Sequence, residues 1–247
     1  MKKQPENPKR QADQINPANN PAGKITIYDN CNSNCNSKYK NEFLNERGGN
    51  FLSRILEKDM ENVGLFLIAS KEAGASDAFF IDAENIVVDD RVRLKCFVPL
   101  CRHYGDLVCP PNVPTPDEFR KYLSCYRFGI MLSTEYNNPP KPPSLAESQD
   151  VSREIRKKST DLSEILLKLE SLSLQKGYRF AAGFTGGSCH YCDKCVKTGQ
   201  ECKTPYKARP SMEAVGVDVV GTLQNIGVFL EFPVSDKIKW WGLLLVD

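Results

Sequence analysis

Four cysteines fall within fourteen residues of one another, as Cys189-His190-Tyr191-Cys192-Asp193-Lys194-Cys195 and then, after six more residues, Cys202. Thiols at three-residue intervals converge on one centre without long-range folding to gather them. Whatever else this chain forms, it must therefore present this stretch as a local sulfur-lined loop. Ferredoxin-type runs use the triple spacing to hold three corners of an iron–sulfur cluster, whereas structural zinc sites more often use two separated Cys-x-x-Cys pairs. The spacing favours iron–sulfur. Zinc is the alternative, because six residues rather than three precede Cys202 and the next proline is Pro205 rather than its neighbour.

The rest of the chain narrows the setting. At 247 residues it buries a proper core and does not need metal merely to fold. Its 33 Lys+Arg against 31 Asp+Glu give no global field toward nucleic acid or anionic membrane, so neither is an expected partner. No run of eighteen apolar residues occurs, and no membrane span is expected. The opening MKKQPENPKRQADQ is basic but lacks the apolar run of a signal peptide. These features point to a cytoplasmic, reducing compartment, where clustered cysteines read as metal ligands rather than disulfides.

Residues 1–50 carry eleven Asn and four Pro, too few apolar side chains to offset ordering, and read as a flexible tail. Residues 51–136 form a first α/β half. In it a helix spans 52–74, with Ile55, Met60, Val63, Leu67 and Ile68 on its apolar face. A β segment over 78–88 is broken by a turn at 83–85. Thr115-Pro116-Asp117-Glu118 opens a second helix whose buried stripe is Phe119, Tyr122, Leu123 and Tyr126, and a strand covers 128–136. A proline-rich linker occupies 137–151. Residues 152–247 form the second half. A helix runs to about 175 with Leu162, Ile165, Leu166, Leu169 and Leu172 on one face, and Gly177 stops it. A strand over 178–182 leads through Gly186-Gly187 into the cysteine loop. A helix opened by Arg209-Pro210-Ser211 breaks at Gly216 and restarts at Asp218, and strands over 228–232 and 240–246 close the chain. The expected class is α+β: a mixed sheet with flanking helices, in two related halves, each with a cysteine loop between strand and helix.

The first half has its own group, Cys96, Cys101 and Cys109, and Pro110 follows Cys109 as at ferredoxin-type clusters. Each group can hold its own centre, leaving an open position in the first, or Cys109 or Cys202 can cross over to complete the other. An open corner would favour catalysis; full ligation would favour electron transfer. His103 and His190 lie inside these loops, and His103 is the better candidate for an extra ligand. Gly186-Gly187 would let backbone N–H groups approach a cluster, and helices starting near Pro116 and Ser211 could aim their positive ends at it. Cys125 reads as a small buried apolar residue. Cys31 and Cys35 read as free thiols on the tail, either of which could swing in as a ligand. Arg209 and Glu213 are spaced to pair, Trp240-Trp241 read as packing, and Arg153, Arg156, Lys157 and Lys158 read as a solvated helix face. No phosphate-binding glycine loop, Ser-His-Asp set or HExxH helix is present.

The motifs resemble those of a small prokaryotic family, the predicted metal-binding proteins built on a cysteine-rich domain of unknown function. The resemblance rests on Cys101-Arg-His-Tyr104-Gly105-Asp-Leu-Val-Cys109-Pro110-Pro111. It rests equally on Gly187-Ser-Cys189-x2-Cys192-x2-Cys195-x6-Cys202, followed by Ala208-Arg209-Pro210-Ser211-Met212-Glu213-Ala214. It covers about residues 52 to 247 and implies metal, iron–sulfur, at Cys96, Cys101, Cys109, Cys189, Cys192, Cys195 and Cys202. It implies no established reaction. The functional expectation is one or two 4Fe–4S clusters in a protein that exchanges electrons with a redox protein or serves a metalloenzyme. The alternatives are a zinc-stabilised interaction module and an enzyme with substrate at an under-ligated first cluster.

Overall fold

The structure, a computed structural model, describes residues 50–137, 145–196, 198–232 and 237–247. The expected tail, with Cys31 and Cys35, and the proline run at 138–144 lie outside these residues. Two long strands, β2 (Phe128–Asn137) and β4 (Lys237–Val246), pair along their whole length, from Phe128 opposite Val246 to Asn137 opposite Lys237. Their apolar ends, FGIML and GLLLV, are buried throughout, as befits central strands covered on both faces. β1 (Asp77–Asp82) adds to the free edge of β2 and β3 (Ala182–Phe184) to that of β4, giving the order β1-β2-β4-β3.

The class is α+β with flanking helices, as expected, but the four described strands of the sheet pair antiparallel throughout rather than in mixed fashion, the one parallel contact being an isolated bridge between Thr185 and Ser211. The reason lies in the connections. Asp82, the last residue of β1, sits opposite Phe128, the first of β2, so residues 83–127 leave and return at one end of the sheet, as an enlarged hairpin loop would. β3 runs toward the opposite end. β3 stops at Phe184, opposite Leu243, so the second cysteine-bearing excursion leaves part-way along the sheet and returns at its far end, where β4 begins at Lys237. The order helix, strand, cysteine loop, short helix, strand recurs in both halves.

One face of the sheet is covered by α1 (Asn50–Glu72) and α4 (Leu145–Gln175). Phe66, Leu162, Leu166 and Leu169 there pack against Phe128, Ile130, Leu132 and Leu244. Each such side chain contributes roughly 1.5–3 kcal/mol by leaving water. The other face is covered by the excursions, the first of which holds the one-turn α2 (Leu94–Phe97), through α3 (Pro116–Leu123), α5 (Val219–Asn225) and the segment between. Phe119, Met212, Val215, Val217 and Leu223 there meet Ile81, Met131, Leu243 and Leu245. The cysteine loops thus hang from segments with their own core. No helix among the described residues is long and apolar enough to cross a membrane.

Several boundaries differ from expectation for identifiable reasons. The buried face of α1 is Asn62, Val63, Phe66 and Ser70, while Met60 and Ile68 are exposed. Asn62 donates to the Tyr178 hydroxyl at 2.9 Å, and Ser70 bonds back to the Phe66 carbonyl at 2.7 Å, so polar residues occupy the stripe. Tyr122, expected inside, is 56% exposed. The strand expected over 178–182 begins only at Ala182: Tyr178 first closes the end of α4 by donating to the Ser173 carbonyl, beside Gly177 at φ +94°. The strand expected over 228–232 is absent, because the Val228 N–H turns back to Leu223 to end α5, leaving Phe229 and Phe232 exposed. Val88 makes a single bridge to Val217 rather than a strand. α4 starts at Leu145, inside the expected linker.

α3 opens with a complete capping box. The Glu118 N–H donates to Thr115 Oγ1 at 3.3 Å, and the Thr115 N–H donates to Glu118 Oε2 at 2.8 Å. Thr115→Ala is expected to cost about 1 kcal/mol, read as a lowered urea midpoint. An unchanged midpoint would show that this cap contributes nothing.

Candidate metal centre

The first cysteine loop is a chain of tight turns. The Cys101 N–H donates to the Cys96 carbonyl at 3.1 Å, Tyr104 to Cys101 at 3.0 Å, Cys109 to Asp106 at 3.0 Å and Asn112 to Cys109 at 2.9 Å. Gly105, at φ +92°, permits the reversal in which its N–H meets the Pro110 carbonyl at 2.7 Å. At the entrance lies Arg93, only 8% exposed, with its guanidinium over the Phe97 ring. Its contact to the Pro114 carbonyl is long, at 3.5 Å, and its Nε has no partner among the described residues.

The second loop is anchored at its neck and along one flank. Thr185 N–H donates to the Pro210 carbonyl at 2.9 Å, and Met212 N–H donates to the Thr185 carbonyl at 2.8 Å. Trp240 fixes the turn before Cys189. Its indole Nε1 donates to the Gly186 carbonyl at 2.8 Å, and a Cβ on Gly187 would lie 2.9 Å from its ring. The glycines allow this packing, and the Gly187 N–H goes to Glu213 Oε2 at 3.3 Å. The flank is α4. Glu164 accepts from the Tyr191 hydroxyl at 3.0 Å and from Lys207 Nζ at 2.8 Å. Glu170 takes a two-pronged contact from Arg209, at 2.8 and 2.5 Å, and the Gly183 N–H at 2.6 Å. The expected Arg209–Glu213 pair is therefore replaced by Arg209–Glu170, since the chain at 209 is not helical.

The helix expected from Ser211 is a three-residue 3-10 turn, Glu213–Val215, stopped by Gly216 at φ +91°. It is too short to carry a useful dipole. Asp218 does restart the chain as α5, accepting from the N–H groups of Val220 and Gly221.

The two loops meet. Asn112 Nδ2 donates to Thr198 Oγ1 at 3.2 Å and to the Gly105 carbonyl at 3.0 Å, and Thr198 Oγ1 donates to the same carbonyl at 3.2 Å. Between them lies a cavity of about 630 Å³, lined by Cys189, Cys192, Cys195 and Cys202 and by residues 102–108. All seven site cysteines are free thiols; Cys109 is buried and the others half-buried. Burial pushes the Cys109 thiol up to about 12, helped by Asp106, Cys101, Cys96 and Cys189. Cys96 is raised by burial and then by Cys101, against the pull of Arg93. Cys189 is raised by burial and by Cys192, Cys202 and Cys195, against a bond from the Tyr191 N–H. Each group thus shares its charge internally, and Cys109 feels Cys189 across the interface.

Three thiols accept a backbone N–H from two residues ahead: Cys101 from His103 at 3.4 Å, Cys202 from Thr204 at 3.4 Å, and Cys189 from Tyr191. Such bonds favour the thiolate, the form that binds metal. Among the described residues, however, no three Cys, His, Asp or Glu side chains stand in ready-made coordination geometry. Both ring nitrogens of His103 are engaged: Nδ1 with Asp106 Oδ2 at 2.8 Å, and Nε2 as acceptor from Arg102 at 3.1 Å. Burial lowers the pKa of His190, with Arg156, His103 and Arg102 adding to the effect. Cys125, expected buried, is exposed and disulfide-bonded.

A family model described as "Predicted metal-binding protein (DUF2284)" matches residues 79–246, from β1 to the end of β4, and so takes in both loops and all seven cysteines. No curated protein and no solved structure matches the chain.

Proposed function

The chain belongs to this family of predicted metal-binding proteins, and from that premise we propose that Cys96, Cys101, Cys109, Cys189, Cys192, Cys195 and Cys202 hold one or two 4Fe–4S clusters. The protein would exchange single electrons with a redox protein or metalloenzyme of the cytoplasm. The observation that carries this reading is the meeting of two sulfur-lined loops whose thiols are all reduced, with N–H groups aimed at three of them. The donor set fits in chemistry. Soft thiolates are the ligands of iron–sulfur clusters, and binding a cation is what draws several grouped thiols into the ionised form together. Arg93 fits too, as a buried guanidinium with no carboxylate partner among the described residues, whose charge already acts on Cys96. The side chains themselves do not stand in coordination geometry, and the tight turns of the loops would have to bring them in.

When bound, a cluster would supply a reversible one-electron couple. The chain's own part is to exclude water and to hold the sulfurs. The N–H groups of His103, Tyr191 and Thr204 soften the charge on Cys101, Cys189 and Cys202. Arg93 offsets charge at Cys96, and the Glu170–Arg209 and Glu164–Tyr191 contacts tie the second loop to α4.

Anaerobically purified protein is expected to be brown, with broad visible absorption that bleaches on adding dithionite, and Cys192→Ser should remove the contribution of the second site. A colourless protein carrying stoichiometric zinc would replace electron transfer with a structural role. Unchanged absorption in Cys192→Ser would overturn the ligand assignment.

A further inference from the structure

The cavity between the loops is lined by more than thiols, and its charge is one-sided. About 630 Å³ lies within the range of small-molecule sites. Four cations line it, Arg102, Arg156, Lys194 and Lys203, against two carboxylates, Asp106 and Asp193. Asp106 is committed to His103, and Arg102 also contacts His103. Arg156, Lys194 and Lys203 have no hydrogen-bonded or ion-paired side-chain partner among the described residues. Some exposed cations of this fold find carboxylates, Lys207 with Glu164, Lys237 with Glu135, Arg120 with Asp90 and Asp117, whereas others, such as Lys121 and Lys176, have none among the described residues. What sets Arg156, Lys194 and Lys203 apart is position: they come from separate places, Arg156 from α4 and the two lysines from either arm of the second loop, and line one opening. Three unpaired cations against the one uncommitted carboxylate, Asp193, leave an excess of positive charge that concentrates anions at a concave site. Arg156 belongs to the basic run that the sequence presents as a plain solvated face.

We propose that this cavity binds a small anion bearing carboxylate or phosphate groups, held by Arg156, Lys194 and Lys203 beside the wall of thiols. The site would give the centre a ligand of defined charge. That use of the anion rests on the metal reading; its binding does not.

The test uses the full-length protein as purified, with isothermal titration at low salt against inorganic phosphate in one arm and citrate in another. Metal content is measured on the same samples. At least one probe is expected to bind, phosphate alone marking a phosphate ligand and citrate a carboxylate one. Binding should weaken about tenfold or more in Arg156→Gln/Lys194→Gln/Lys203→Gln, since each lost charged contact is worth a sizeable fraction of a decade or more. It should be unchanged in Arg153→Gln on the same helix, with metal content unaffected in both. Arg156→Gln alone, at an exposed position of α4, should weaken binding about threefold and serves if the triple variant does not fold. Wild-type protein that binds neither probe, or variants that bind as wild type does, would overturn the proposal. So would loss of metal in the triple variant with no anion binding in the wild type, which would make these cations mere counter-charges for the thiolates. Charge-dependent binding by protein devoid of metal would keep the anion site and remove the metal reading.

Discussion

Glu170→Ala is expected to destabilise the protein by about 3 kcal/mol, because breaking one side of a largely buried ion pair strands the other. Glu170 and Arg209 are 16% and 22% exposed, so water can only partly solvate the abandoned guanidinium. The same carboxylate accepts the Gly183 N–H at 2.6 Å, where β3 leads into the second cysteine loop. Urea unfolding should show the loss. Hydrogen exchange should show residues 185–210 opening well before the α1–α4 core. Glu170→Gln, which retains an acceptor but no charge, should fall between. A loss below about 0.5 kcal/mol, the level of an exposed pair, would show that this contact does not hold the loop.

Gly186→Ala should cost about 2–3 kcal/mol, combining overpacking with a lost hydrogen bond. An added Cβ would lie 2.8 Å from the Trp241 carbonyl oxygen and 3.1 Å from Trp240 Nε1. The first obstacle is backbone in the central strand β4 and cannot give way. The second is the indole that donates to the Gly186 carbonyl. The loop would be pushed off Trp240, whose fluorescence should shift to the red. Trp240→Phe keeps most of the ring and removes only the donor, so it should be milder. A Gly186→Ala protein as stable as wild type, with unshifted fluorescence, would place Trp240 outside the loop's support.

These two positions also mark where sequence reasoning reaches its limit. Local signals translate directly into structure. The leucine and isoleucine stripe of α4 packs as its period requires, Gly177 ends that helix, Thr115 and Glu118 cap α3, and Asp218 restarts the chain after Gly216. The cysteine spacing likewise points to loops, and both are found between strand and short helix. Contacts between distant segments leave no local trace. Glu170 and Arg209 are 39 residues apart, and Glu164 reaches Tyr191 across 27. Arg209 looked suited to Glu213 only under the assumption of a helix that Gly216 stops after three residues. Asn62 and Ser70 are buried against Tyr178 and a helical carbonyl, so a rule that buries apolar residues alone displaces the face of α1. The apolar run 228–232 reads as a strand because periodicity cannot distinguish a buried segment from one that caps a helix with its backbone. The antiparallel sheet follows from where each excursion begins and ends, which strand patterns do not encode. Arg93 gives no signal at all: an arginine in the charged stretch 89–95 reads as solvated until the fold encloses it.

The central claim, that two meeting cysteine loops hold iron–sulfur clusters, is tested most directly by counting iron, acid-labile sulfide and zinc per chain after anaerobic purification. About four iron and four sulfide are predicted for one cluster, or about eight of each for two, with zinc well below one. Stoichiometric zinc without sulfide, or protein free of all three after reconstitution with iron and sulfide, would contradict it.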